Sequence, residues 1–196
     1  AVHAIHISTH EAVALARAKA HVCACPTTER NLGDGINPAD MFFARGVPVA
    51  LGTDTNVQTD LIEDARELEC HLRLKYLQRE ILAPPADDGS VPDPAALASR
   101  LLACATRHGA SSLHAPGGAL EPGRAADFFT IALDDPTLAG TDAANLPAAF
   151  VFAAGRSCIQ DVVVGGRPVV ARGRHPQQAE IVSSFQDLQQ RLWARP

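Results

Sequence analysis

Three times in its first eighty residues the sequence sets a short apolar run beside an amphipathic stretch, and this alternation limits the fold more than any other feature. Ala1–Ile7, His21–Cys25 and Val47–Thr53 are strand-like, the third apolar almost throughout, as expected of a strand covered on both faces. Ser8-Thr9-His10-Glu11 matches the Ser-x-x-Glu capping box and predicts a helix continuing through Ala12, Ala14, Leu15 and Ala18. Pro38–Arg45 is a second helical stretch, stopped by Gly46. Asp60 opens a long helix with Leu61, Ala65, Leu68, Leu72 and Tyr76 at three- and four-residue steps. Strand followed by helix, three times over, predicts an α/β fold with parallel strands joined by helical crossovers. A closed barrel built this way needs eight strands and typically ~250 residues. A chain of 196 residues with three such units is therefore part of a barrel or a small open sheet with an appendage.

Beyond the long helix the pattern changes. Ala83–Pro94, rich in Pro, Asp and Gly, reads as a loop, and Ala95–His108 as a further helix. After Pro116-Gly117-Gly118 the character becomes β, with runs at Asp127–Leu133, Ala149–Ala154 and Val162–Val164. Gly165-Gly166 joins the last of these to Pro168–Ala171, a two-residue hairpin signal. Gln177–Trp193 is an amphipathic helix expected to lie back on the barrel or on the β segment. The predicted division is 1–115 for the βα part, 116–175 for the β segment and 176–196 for the terminal helix.

A formal net charge of −5 argues against a nucleic-acid or anionic-membrane surface. No apolar run approaches the ~20 residues that cross a bilayer. Five cysteines without repeating spacing do not read as a secreted disulfide framework and suit reduced thiols in a cytoplasmic protein. The chain opens Ala1-Val2-His3 inside an apolar run with no initiator Met, and is expected to be cut at its left edge.

Few residues suggest chemistry by themselves. His3 and His6, three apart on an expected strand, would point to opposite faces, and could equally be two partly buried, hydrogen-bonded histidines. Asp54 follows the strand Val47–Thr53, where such folds place their sites, although Thr53-Asp54-Thr55-Asn56 is also good turn chemistry. Cys23-x-Cys25 is a lone pair of thiols and reads as core rather than metal site. Asn31-Leu32-Gly33-Asp34-Gly35 lacks the spacing of either phosphate-binding fingerprint, and no Gly-x-Ser-x-Gly is present. Glu63, Asp64 and Glu67 read as a solvated helix face paired with Arg66 and Arg73.

Taken together, three segments resemble the C-terminal part of a metal-dependent amidohydrolase of the deaminase kind: V-H-A-x-H from Val2 to His6, C-P-T-T-E-R-N-L-G-D-G from Cys25 to Gly35, and G-T-D-T-N from Gly52 to Asn56. The stretch Gly118–Asp127 resembles the G-x-L-x-P-G-x-x-A-D lead into the small β domain of these enzymes, and Val162–Arg167 their closing hairpin. The Cys25–Gly35 block is most similar to formiminoglutamate deiminases of histidine degradation. The family's usual G-S-D-S or G-T-D-G stands here as G-T-D-T.

The resemblance implies strands six to eight of a (β/α)8 TIM-type barrel, then part of a small β domain. It implies His3 as the sixth-strand histidine at the substrate and Asp54 as the eighth-strand aspartate that binds a zinc ion and relays a proton. Thr28, Glu29 and Asn31 would lie at the barrel mouth as substrate contacts. Its first-strand His-x-His pair, fifth-strand histidine and nearby glutamate have no counterpart here, and His108, His114 and His175 stand in other contexts. One carboxylate is short of the three protein ligands of catalytic zinc, so the isolated chain is expected to be inactive, with the remaining ligands in a missing front half. The resemblance further implies a small-molecule substrate and a homodimer when complete. The alternatives are an amidohydrolase acting on a purine, pyrimidine or triazine amine, and a non-catalytic half-barrel that pairs with another half.

Overall fold

The first helix forms where its cap demands. In the computed structural model, which describes residues 1–85 and 93–194, α1 (Thr9–Arg17) begins after Ser8, whose side chain accepts from the Glu11 amide while the Glu11 carboxylate takes the Ser8 amide. β1 (Val22–Ala24) and β2 (Val49–Leu51) run parallel with Val22 opposite Val49 and Ala24 opposite Leu51. Between them lie α2 (Pro26–Leu32) and α3 (Ala39–Phe43), so the crossover is helical as the pattern predicts. All three residues of β2 are buried, as the unbroken apolar run requires.

The expected first strand, Ala1–Ile7, contracts to one parallel bridge between Val2 and Cys23 on the other edge of β1. His3 and Ala4 have φ of 60° and 51°, which ends extended pairing at once. The Ala4 amide folds back on the Val2 carbonyl at 2.8 Å, closing a three-residue turn with His3 at its centre. His3 and His6 therefore do not alternate along a strand.

α4 (Leu61–Tyr76) starts after Asp60, whose carboxylate accepts from the Ile62 and Glu63 amides. It buries Ala65, Leu68 and Leu72, while Leu61 and Tyr76 at its ends stay exposed. These side chains join Ala12, Val22, Phe42, Val49, Leu97 and Leu101 in one core. Most of the expected loop 83–94 lies outside the described residues. α5 (Pro94–Ala103) passes through a π-helical turn, Cys104–His108, into α6 (Gly109–Ser112). The His108 ring bonds the Val49 carbonyl at 2.9 Å through Nδ1, fastening that turn to β2.

Of Ala149–Ala154, expected as a strand, the first four residues belong to the helix α7 (Leu146–Phe152), and Ala153 and Ala154 follow its end. A six-residue apolar run does not by itself distinguish strand from buried helix, and here tertiary contacts decide. Phe150 and Val151 are buried, and Arg66 on α4 donates to the carbonyls of Val151 and Ala154 at the helix's last turn. β3 (Phe128–Ile131), β4 (Ile159–Val164) and β5 (Arg167–Val170) form an antiparallel sheet in that order. Gly165 and Gly166, at φ of 56° and 75°, make the left-handed two-residue turn that glycine permits. α8 (Gln178–Trp193) buries none of its residues, so it does not lie back on the barrel or β segment as expected. Among the described residues no helix is long and apolar enough to cross a membrane.

Candidate active site

The carboxyl ends of β1 and β2 and the turn after Val2 converge. Parallel strands bring these ends to one edge, where open α/β sheets and barrels carry their chemistry. Asp54 stands three residues past β2 at φ 51°, a left-handed conformation rarely taken by a residue with a side chain. His3 is likewise left-handed. His3 Nε2 lies 3.8 Å from Asp54 Oδ2, with both side chains part-exposed. That is too long for a hydrogen bond and within reach of a shared ligand or of a proton passed through one water.

Behind His3 the site is closed. Its amide donates to the Cys23 carbonyl at 2.8 Å, and its own carbonyl accepts from Asn37 Nδ2. Nδ1 of its ring faces Glu29 Oε1 at 3.4 Å. Glu29 is fully buried, and its Oε1 also accepts the Cys25 amide at 2.9 Å. Burial pushes the Glu29 carboxyl above its ordinary value, partly offset by those two donors. Next to it, the Cys23 thiol is lowered to about 7, chiefly by hydrogen bonding with Cys25 and helped by His3, while Cys25 is raised by the same bond and by burial. A Cβ on Gly52, just past β2, would lie 3.0 Å from Cys23 Sγ and 3.4 Å from Cys25 Sγ, so the two thiols leave little room there.

The remaining expected contacts fall differently. Thr28 is buried, its hydroxyl donating to the Thr53 carbonyl and meeting the Thr55 hydroxyl, so it ties α2 to the loop that carries Asp54. Asn31 is exposed. Thus His3 and Asp54 come together on the open side, Glu29 stands behind His3, and Thr28 supports the Asp54 loop. Asp64, read in the sequence as part of a solvated face, is buried with Oδ1 accepting the Thr27 amide and hydroxyl. Glu63 pairs with Arg66 as expected, whereas Glu67 pairs with Arg30 and His71, and Arg73 turns instead to the buried Glu69. Sequence reasoning missed Asn37, whose contact with His3 spans 34 residues and leaves no local pattern.

Residues 1–169 match the model of the amidohydrolase family. The chain belongs to that family. The formimidoylglutamate deiminase of Pseudomonas aeruginosa is 36% identical over 94% of this chain and 39% of its own length. The crystal structure of an amidohydrolase from Brucella melitensis superposes with a TM-score of 0.84 at 33% identity, over 98% of this chain and 41% of that one. That of atrazine chlorohydrolase from Arthrobacter aurescens, complexed with zinc, gives 0.74 at 25% identity over 95% and 40%. This amidohydrolase chain thus spans about two fifths of the length of the relatives it matches.

The donor set here fits a metal in part. Asp54 offers an anionic oxygen with a nitrogen base beside it, which suits one corner of a zinc site. Among the described residues no three His, Cys, Asp or Glu side chains group to hold an ion, and catalytic zinc takes three protein ligands.

Proposed function

We propose that the chain forms strands six to eight of a (β/α)8 barrel over residues 1–115, part of a small β domain over 116–175 and a terminal helix over 176–196. The complete protein is then a zinc-dependent deiminase that hydrolyses N-formimino-L-glutamate to N-formyl-L-glutamate and ammonia. The approach of His3 to Asp54, 3.8 Å apart although fifty-one residues separate them, is the observation that supports this most. The Pseudomonas aeruginosa relative, itself a formimidoylglutamate deiminase, supports the substrate.

In this reading Asp54 is one metal ligand, and the others come from outside these residues. Zinc, when bound, lowers the pKa of water from 15.7 towards ~7 and so supplies a nucleophile at neutral pH. Asp54 Oδ2 carries the two protons of the attacking water in turn to the imine nitrogen, one on attack and one as the carbonyl forms, and that nitrogen leaves as ammonia. His3 Nε2 faces the charge that develops at the attacked carbon and stabilises it. Asn31, exposed at the rim, is the remaining substrate contact.

The test is ammonia release by the complete protein from formiminoglutamate, set beside a purine, a pyrimidine and a triazine amine. Turnover of formiminoglutamate that falls by about 10²–10⁴ in Asp54→Asn is the expected result. Turnover of a heterocyclic amine alone would overturn the substrate and keep the deaminase. No turnover of any of them would overturn both and leave a half-barrel that pairs with another.

A further inference from the structure

We infer that Glu29 is a positioning residue for His3, setting which ring nitrogen of His3 carries the proton and so which one faces the reacting side. The inference rests on the reading of His3 as catalytic. Glu29 has no exposed surface, so it touches no substrate directly. One of its oxygens, Oε1, serves two donors: the Cys25 amide at 2.9 Å and His3 Nδ1 at 3.4 Å. The other, Oε2, is buried without a hydrogen-bond partner among the described residues.

A buried carboxylate is a costly way to satisfy a single backbone amide, since a neutral amide side chain would do the same without desolvating a charge. The charge acquires a use at the imidazole. A neutral histidine has one nitrogen that donates and one that accepts. A carboxylate accepts only, so Glu29 selects the form with the proton on Nδ1. Nε2 is then left as the acceptor, 3.8 Å from Asp54 Oδ2. With Nδ1 engaged by Glu29, Nε2 is the nitrogen that takes a proton on the open side and donates it to the charge that develops there. The backbone of His3 is pinned on both sides by Cys23 and Asn37, which keeps the root of the ring beside Glu29.

The experiment reads the ring and needs no turnover. Two-bond proton–nitrogen correlation spectra of the ¹⁵N-histidine-labelled chain distinguish the tautomers, and His3→Gln identifies the His3 signals. In the unaltered chain the neutral His3 ring should carry its proton on Nδ1. In Glu29→Gln, which keeps an acceptor for Cys25, the ratio of the Nδ1–H to the Nε2–H form should fall about ten- to a hundredfold, the worth of one charge-assisted hydrogen bond. In the complete protein the same change should lower kcat with KM held, whereas a contact with substrate would raise KM. A His3 that already carries its proton on Nε2 in the unaltered chain overturns the inference with no variant needed, and so does a ratio unmoved by Glu29→Gln. Either result leaves the deiminase reading intact, and failure of ammonia release leaves the tautomer result standing.

Discussion

Among the described residues from Val22 to Leu101 the chain packs one continuous core, although Leu32, Val57, Leu74 and Leu77 stay exposed around it. From Phe128 onward it leaves many apolar side chains open: Phe128 is 38% exposed, Val164 52% and Phe185 57%, whereas Phe42 and Leu72 are at 0%. The first region also buries three acids, Glu29, Asp64 and Glu69, each held by at least one backbone amide. These facts belong together. A carboxylate survives desolvation only where surrounding elements are fixed well enough to keep donors on it, and parallel strands with helical crossovers supply that fixity. An antiparallel ladder is satisfied by its own backbone and can stand with one face open.

The contrast is broken most severely by a cavity in the packed region. Phe42→Ala should lower unfolding stability by about 3–5 kcal/mol, measured by denaturant titration. Next comes Glu69, whose carboxylate takes the amides of Ile81 and Leu82 and the Arg73 guanidinium. Glu69→Ala strands those donors in the interior and should cost about 2–3 kcal/mol. A loss below about 1 kcal/mol would mean that water replaces the carboxylate, and that this region is less closed than its burial implies.

Asp64 sharpens the comparison through pH. Burial pushes its carboxyl up to about 6 from an ordinary 3.8, and the two donors of Thr27 offset only part of that. Below pH ~4 the group is protonated whether the chain is folded or not. Between about 4 and 6 the folded chain holds a proton that the unfolded chain has released, so this share of stability falls as pH rises. Above 6 both forms are ionised, and a cost on the order of 3 kcal/mol is fully present. Asp64→Asn keeps an oxygen for Thr27 and removes the charge. Its stability at pH 7 should rise by about 1–2 kcal/mol, and the slope of stability between pH 4 and 6 should flatten. A slope unchanged by the substitution would assign that window to another group, with Glu29 next in line.

What the sequence made legible was local. Ser8 and Asp60 announce their helices because a cap is complete within three residues. Gly165-Gly166 announces its turn because two positive φ angles in succession ask for glycine. The losses lie where distant contacts decide. Nothing in Ala1–Ile7 shows that His3 turns the backbone left-handed, and nothing in Ala149–Ala154 shows that Arg66, more than eighty residues earlier, holds its carbonyls. The candidate site divides the same way. Asp54 was visible as a carboxylate at a strand end, and His3 through the family's motif. Glu29 was visible as a residue type, but the side to which it turns was not, since its partner stands 26 residues away.

The smallest effect expected belongs to α8, and it tests the other side of the comparison. Ile181, Phe185, Leu188 and Leu192 recur at steps of four, three and four along this helix and are between 41% and 64% exposed. A side chain that gains no burial on folding contributes little to stability. Phe185→Ser should therefore shift the unfolding free energy by no more than about 0.5 kcal/mol. The helix itself draws on Glu180 in its first turn and Arg191 in its last, charges placed well for its dipole. Sixteen residues without tertiary support are marginal in water, so amide exchange over 178–193 should be fast relative to β1 and β2. A loss above about 1.5 kcal/mol in Phe185→Ser, or slow exchange along α8, would show that the apolar stripe is covered in solution. The contrast between the two regions would then lie in which surfaces meet within this chain, and not in how firmly each is held.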